Sequence, residues 1–163
     1  MTYPDIQHFI QEANFLLDKV VDGDSLSVIG ICTGEKREIR LYGIDVPETR
    51  KGRKLRIDEE KSRMAGRLLQ QLGIQAREFV NNLCPIGTPL TLYTEPGNEL
   101  DYYGRHLAYV ILPDGNCLNN ILLREGYAKA TTNYFCNELH SYQLENWQAK
   151  RRKRGLYKIV KQF

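Results

Sequence analysis

Ser25-Leu26-Ser27-Val28-Ile29-Gly30-Ile31-Cys32-Thr33-Gly34-Glu35-Lys36-Arg37-Glu38-Ile39-Arg40-Leu41-Tyr42 decides the fold of this chain. Ser25-Leu26-Ser27-Val28 alternates polar and apolar residues, and Ile29 and Ile31 continue a β-rich run. Thr33-Gly34-Glu35-Lys36 is a turn signal. Arg37 to Tyr42 alternates again, as the return strand of a hairpin should. Gly43 follows as a natural bend. Such a bend aims Asp45 away from the regular strand face. Pro47 stops the ladder and stiffens the turn that presents Glu48.

Upstream, residues 6–17 are mixed and read as either a short helix or an extended lead-in, with strands from Asp18 on. Downstream, residues 57–83 carry helical spacing. Ala65, Leu68, Leu69, Leu72, Ala76, Phe79, Val80 and Leu83 line a stripe, and Gly73 is a candidate break into two helices. Leu90 to Tyr93 and Leu107 to Leu112 read as strands, with an exposed loop from Asn98 to Gly104 between them. Leu118 to Glu125 reads as a short helix ended by Gly126. Glu138 to Arg154 reads as a final helix anchored by Leu144, Trp147 and Leu156. Several short strands with few interrupting helices predict an α+β protein that is mainly a β barrel. The natural candidate is a five-stranded oligonucleotide/oligosaccharide-binding (OB) barrel with about three helices packed outside. At 163 residues, without repeats or a low-complexity linker, residues 1–163 are expected to form one domain.

The hydrophobic fraction of 42% is ordinary for a globular protein, and the net charge of +3 does not by itself point to nucleic acid. The distribution says more. Lys150 to Arg154 is an unbroken basic run, and Arg50, Lys51, Arg53, Lys54 and Arg56 follow directly on the acidic motif. Most charge runs are solvated surface. The second one adjoins the candidate site, so it also reads as a phosphate-attracting rim. Cys32, Cys84, Cys117 and Cys136 lack metal-finger or redox spacing, which argues against zinc and thioredoxin-type chemistry. Buried free thiols are expected, with a disulfide left open. Met1 to His8 lacks a basic region followed by an apolar run, so either the protein stays inside the cell or a leader has been removed. No stretch has the length and apolarity of a membrane span.

The chemistry lies in three short patches. Asp24 sits in Val21-Asp22-Gly23-Asp24-Ser25, and Arg40, Asp45 and Glu48 lie between Arg40 and Thr49. Arg105 ends Asp101-Tyr102-Tyr103-Gly104-Arg105. Hard divalent cations want oxygen ligands. Asp24 and Asp45 each offer a carboxylate oxygen and Val46 a backbone carbonyl, which leaves calcium and magnesium both open. Asp22, two residues from Asp24, is a candidate hydrogen-bond partner behind the ligands. Glu48 is the candidate general base for a water attacking phosphorus. Arg40 and Arg105 have the fork geometry that clamps phosphate oxygens and favours the charge that builds on them in the transition state. Each patch alone reads more readily as surface salt bridges, and the combination reverses that balance. Gly30 to Lys36 is one residue short of a phosphate-binding loop and no helix follows it, so it reads as a hairpin turn. His8, His106 and His140 form no cluster, no Gly-x-Ser-x-Gly elbow is present, and Trp147 reads as a core anchor.

These segments, together with Tyr103-Gly104-Arg105-His106-Leu107-Ala108-Tyr109-Val110, resemble the three signature segments of the staphylococcal nuclease (thermonuclease) family. Leu118-Asn119-Asn120, Gly126-Tyr127-Ala128-Lys129 and the closing Ala149-Lys150…Arg154-Gly155-Leu156-Tyr157 are similar to its later pattern, and the resemblance runs from about Lys19 to Tyr157. It implies an OB-type barrel with three helices. It also implies calcium-dependent, sugar-nonspecific cleavage of DNA and RNA that leaves 3′-phosphates, by a monomer without membrane partners. By the resemblance, Asp24, Asp45 and the Val46 carbonyl would ligate calcium, with magnesium or another divalent metal not excluded. Glu48 would activate or position water, and Arg40 and Arg105 would hold the scissile phosphate. Tyr103 would touch the terminal phosphate and Tyr134 would line the base pocket. The chain departs from the family pattern at three places. Val46 stands where threonine is common, Thr132 stands where a second pocket tyrosine is common, and the charged segment from Arg50 to Gly73 is longer than usual. The competing reading is a catalytically weak nucleic-acid- or protein-binding OB module. Degenerate copies usually lose a carboxylate or an arginine, and none of the five is missing here, which favours an enzyme.

Overall fold

The computed structural model describes residues 9–163. The readings made on Met1 to His8 therefore lie outside the described residues: the missing leader pattern, His8 and the first residues of the 6–17 lead-in. From Ile10 the extended alternative holds. Strand β1 runs over Ile10–Asp22 and pairs with two neighbours. Its sequence looks mixed because bulges interrupt the two-residue period. The register shifts between Glu12 and Phe15, where Asn14 adopts φ +69°, and again near Lys19 and near Asp22.

Strands β2 (Ser25–Gly30) and β3 (Lys36–Leu41) form the expected antiparallel hairpin, with Ser25 opposite Arg40 and Ile29 opposite Lys36. Strand β4 (Ile44–Asp45) leaves the barrel and pairs with β7 (Lys129–Ala130). Strand β5 (Pro89–Thr94) pairs antiparallel with β1 and with β6 (His106–Ile111), and β6 closes onto β3 in parallel. The result is a closed five-stranded barrel in the order β1-β2-β3-β6-β5. Closure removes the edges of the sheet. Inward residues from every strand, among them Leu17, Leu26, Val28, Ile39, Leu41, Leu92 and Val110, are buried in its core.

The described residues carry four α-helices: α1 (Arg53–Ser62), α2 (Gly66–Leu83), α3 (Leu118–Arg124) and α4 (Leu139–Arg151). The break in the long helical segment falls at Arg63, which caps α1 in the left-handed conformation at φ +57°, and not at Gly73. A smaller apolar cluster joins Leu55 of α1, Leu69 and Leu72 of α2, Ala149 of α4, and Leu156, Tyr157 and Phe163. Two expected anchors of α4 are not anchors. Leu144 and Trp147 are both more than half exposed, and Arg151 lies over the Trp147 ring. The inward face of α4 carries Tyr142, Asn146 and Ala149 instead. The polar Asn146 fits there because its amide is satisfied, donating to Tyr157 Oη at 2.7 Å and accepting from Ala130 N at 3.3 Å.

Candidate active site

Asp24 sits at the tight β1–β2 turn, where Gly23 and Asp24 join the two strands. Arg40 is opposite Ser25 on β3, so its side chain and Asp24 meet at one end of the barrel. Gly43 then turns the chain. Its φ of +68° and its closeness to Cys136 Sγ and Tyr142, 2.7 and 2.8 Å from any added Cβ, leave room for glycine alone. That turn starts β4, which ends in Asp45. Val46 N donates to Asp24 Oδ2 at 3.0 Å and ties the two acidic segments together.

The Pro47-Glu48-Thr49 turn is held from behind by α2. Gly73 lets the helix approach so closely that a Cβ there would lie 2.3 Å from Pro47 O. Gln70 Nε2 donates to Thr49 O at 3.2 Å, and Thr49 Oγ1 donates to Asp22 Oδ1 at 2.6 Å. Asp22 therefore supports the turn that carries Glu48, not Asp24 as expected, because the two aspartates stand on either side of a turn and not along one strand.

One guanidinium organises the centre. Arg40 is 2% exposed. Its Nη2 lies 3.1 Å from Asp24 Oδ2 and 3.2 Å from Asp45 Oδ1, and its Nη1 donates to Asp24 O and Leu41 O. Its plane lies over the Tyr134 ring at 3.8 Å. Arg105, half-buried, reaches the same ring from its edge, and its Nη2 donates to Tyr134 Oη at 3.1 Å. Asp101 fixes Arg105 through a 2.8 Å ion pair, and Ser25 Oγ is 3.4 Å from Nη1. Glu48 is partly exposed, and its Oε1 accepts from Arg50 N at 3.1 Å. Tyr103 is exposed at the rim, edge-on to Tyr102.

A trough of about 750 Å³ is lined by all eight residues named from the sequence: Asp24, Arg40, Asp45, Val46, Glu48, Tyr103, Arg105 and Tyr134. Arg53, Lys54 and Lys61 of α1 form part of its wall. The basic stretch after the acidic motif thus flanks the site, as the rim reading expected. The contact that sequence reasoning missed is Lys54. Its ammonium lies 3.1 Å from Asp45 Oδ1, 3.5 Å from Val46 O and 3.8 Å from Glu48 Oε2. Lys129 approaches Asp45 Oδ2 at 3.9 Å. Asp101 was also missed as the orienting partner of Arg105; its four-residue spacing was the available signal.

The electrostatics split the two buried carboxylates. Burial pushes both upward. Around Asp24, Arg40, Lys54 and hydrogen bonds from Val46 and Ser25 outweigh it and hold the group below the usual aspartate range. Burial dominates at Asp45, and with repulsion from Asp24 it raises that carboxyl despite Lys54 and Arg40. Lys54 is held above the usual lysine range by Asp45 and Asp24, which outweigh the partial desolvation of its ammonium.

Among the described residues, no three His, Cys, Asp or Glu side chains form a ready-made metal cage. The donors that do converge are two carboxylates and a carbonyl, all oxygen, and all already turned on cationic groups. That set fits a hard divalent cation that keeps waters of its own. Among the described residues, no helix is long and apolar enough to cross a membrane.

The family description "Staphylococcal nuclease homologue" matches residues 38–158, about three quarters of the chain. Endonuclease YncB of Bacillus subtilis (strain 168) is 31% identical over 146 residues, covering 88% of this chain and 61% of that protein. The SPbeta prophage-derived endonuclease YokF of the same organism is 30% identical over 143 residues, covering 86% of this chain and 43% of YokF. Thermonuclease of Staphylococcus intermedius is 30% identical over 148 residues, covering 90% of this chain and 76% of that protein. The chain thus spans only about three-fifths of YncB and about two-fifths of YokF.

Proposed function

Because the chain belongs to the staphylococcal nuclease family, we propose that it is a phosphodiester hydrolase, a divalent-metal-dependent nuclease acting on DNA and RNA without regard to the sugar. The observation that carries this reading is the gathering of three sequence-distant patches in one trough. Asp24 and Asp45 share the Arg40 guanidinium, with Glu48 and Arg105 on the same walls.

Asp24, Asp45 and the Val46 carbonyl would hold the cation, with calcium the first expectation and magnesium an alternative. When bound, such an ion acts as a Lewis acid on a phosphoryl oxygen. Glu48 is the carboxylate placed to take a proton from the attacking water. Its partly exposed position leaves it in contact with solvent. Arg105 is available for phosphate, since two of its partners, Ser25 and Tyr134, are neutral. Arg40, locked in place before substrate arrives, supplies fixed positive charge where negative charge develops, which favours the transition state over the substrate. Tyr103, exposed at the rim, and Tyr134, between the two arginines, would contact the terminal phosphate and the neighbouring base. The products would carry 3′-phosphates, and a monomer suffices because every one of these residues comes from one chain.

Incubating denatured DNA, plasmid and RNA with calcium, with magnesium and with chelator tests the reading. Cleavage of DNA and RNA with a divalent ion, and none with chelator, is expected. Intact substrates under all three conditions would leave the binding-module reading in its place.

A further inference from the structure

Lys54 projects from the first turn of α1 onto two of the oxygens assigned above to the cation, those of Asp45 and Val46, and onto the neighbouring Glu48. An ammonium and a divalent cation ask for the same surroundings: oxygen donors carrying negative charge. The three contacts at 3.1, 3.5 and 3.8 Å reach a carboxylate, a carbonyl and a second carboxylate. One ammonium is thus shared among three oxygens of the trough, the closest of them on Asp45.

The side chain is also free to leave. Its side chain is 44% exposed, so the ammonium has a short path into solvent. Helix α1 is secured elsewhere. Leu55 is buried with Leu69 and Leu72, and Glu59 Oε1 accepts from Gly66 N at 2.6 Å. Moving Lys54 therefore needs a change of side-chain rotamer and leaves the helix in place.

We propose that Lys54 is a tethered counter-cation, which occupies the Asp45–Val46–Glu48 oxygens while no divalent ion is bound and is displaced when one binds. The inference rests on the metal reading of the site. It makes Lys54 a determinant of metal affinity: the chain carries its own competitor, which adds a second close cation beside Arg40 at Asp45 until the ion arrives.

Calorimetric titration of calcium chloride into the metal-free protein, without nucleic acid, tests it on wild type, Lys54→Met and Lys61→Met. Lys61 lines the same trough on the same helix but bonds none of these oxygens, so it controls for general charge. Lys54→Met should bind calcium about tenfold more tightly or better, because the entering ion no longer has to break the Lys54–Asp45 pair. Lys61→Met should stay within about twofold of wild type, through solvent screening. Unchanged or weaker binding by Lys54→Met, or equal tightening by Lys61→Met, overturns the proposal. If wild type binds calcium and Lys54→Met binds it no better, this inference alone falls. If neither binds, the metal reading falls with it, whereas binding by Lys54→Met alone supports the seat. A second readout is acetylation of lysines by acetic anhydride, followed by mass spectrometry. Lys54 labelling should rise severalfold with saturating calcium relative to Lys61, and unchanged or lower labelling overturns displacement.

Discussion

Arg40 carries four oxygen partners in a nearly solvent-free position: the Asp24 carbonyl, the Leu41 carbonyl and the Asp24 and Asp45 carboxylates. Removing it strands the buried Asp24 carboxylate and leaves Asp45 to Lys54 and Lys129. Arg40→Ala should therefore destabilise the fold by about 3–5 kcal/mol in urea unfolding, besides abolishing cleavage. Arg105→Ala should cost less. Asp101 loses its ion-pair partner but keeps the backbone N–H donors of Tyr103 and residue 105, so about 1–3 kcal/mol of stability is at stake and the main loss is turnover at saturating metal. Equal unfolding costs for the two variants would contradict this division. From the sequence the two arginines were equivalent phosphate clamps. Burial separates them, and burial depends on strands that are remote in the chain. The same holds for Lys54: its charge was legible and its seat was not, since nothing in Arg53-Lys54-Leu55 records where the helix will point.

At the scale of elements, helix α2 is a positioning device as well as a core helix. It touches the Glu48 turn through Gly73 and Gln70. Gly73→Ala would drive a Cβ into Pro47 O, a backbone atom that yields only if the turn moves. The expected cost is about 1–3 kcal/mol by overpacking, with turnover down by about a hundredfold if Glu48 shifts on the order of 1 Å. Gly52→Ala, where nothing lies within 4 Å of the added carbon, should stay within about 0.5 kcal/mol and serves as the control. Full activity and stability in Gly73→Ala would show that the turn does not depend on this approach. The hairpin of β2 and β3, the two later strands and α3 follow the sequence pattern closely, because each is a short alternating or apolar run bounded by turn residues. The pattern misled where a structural demand ran against it. Bulges hid β1, a satisfied asparagine took an inward slot of α4, and a glycine needed for close approach looked like a helix break.

For the whole molecule, the four cysteines remain free thiols, with Cys32 exposed and Cys84 and Cys136 buried. Burial pushes Cys117 and Cys136 up to about 11. An unfolded thiol titrates at about 8.5, so unfolding releases these protons first as pH rises. The stability contributed by the two neutral thiols is fully present below about pH 8.5 and is lost as pH rises through about 11, on the order of 3 kcal/mol for each. Urea unfolding at pH 8 and at pH 10.5 should show that decline, and Cys117→Ala with Cys136→Ala should flatten it. An undiminished slope in that double variant would assign the alkaline loss to other groups, such as Tyr157, which burial raises to about 12.

The order of the chain by itself determined the barrel, through short strands of alternating polarity, and it marked three charged patches whose residues line one trough. The tertiary structure alone decided how they act on one another. Closing β3 onto β6 in parallel brings Arg40 and Arg105 to a single tyrosine, and packing α1 beside β4 lowers Lys54 onto Asp45. Coulomb energy and desolvation depend on distance and burial through space, and neither quantity is written in the spacing of residues along the chain.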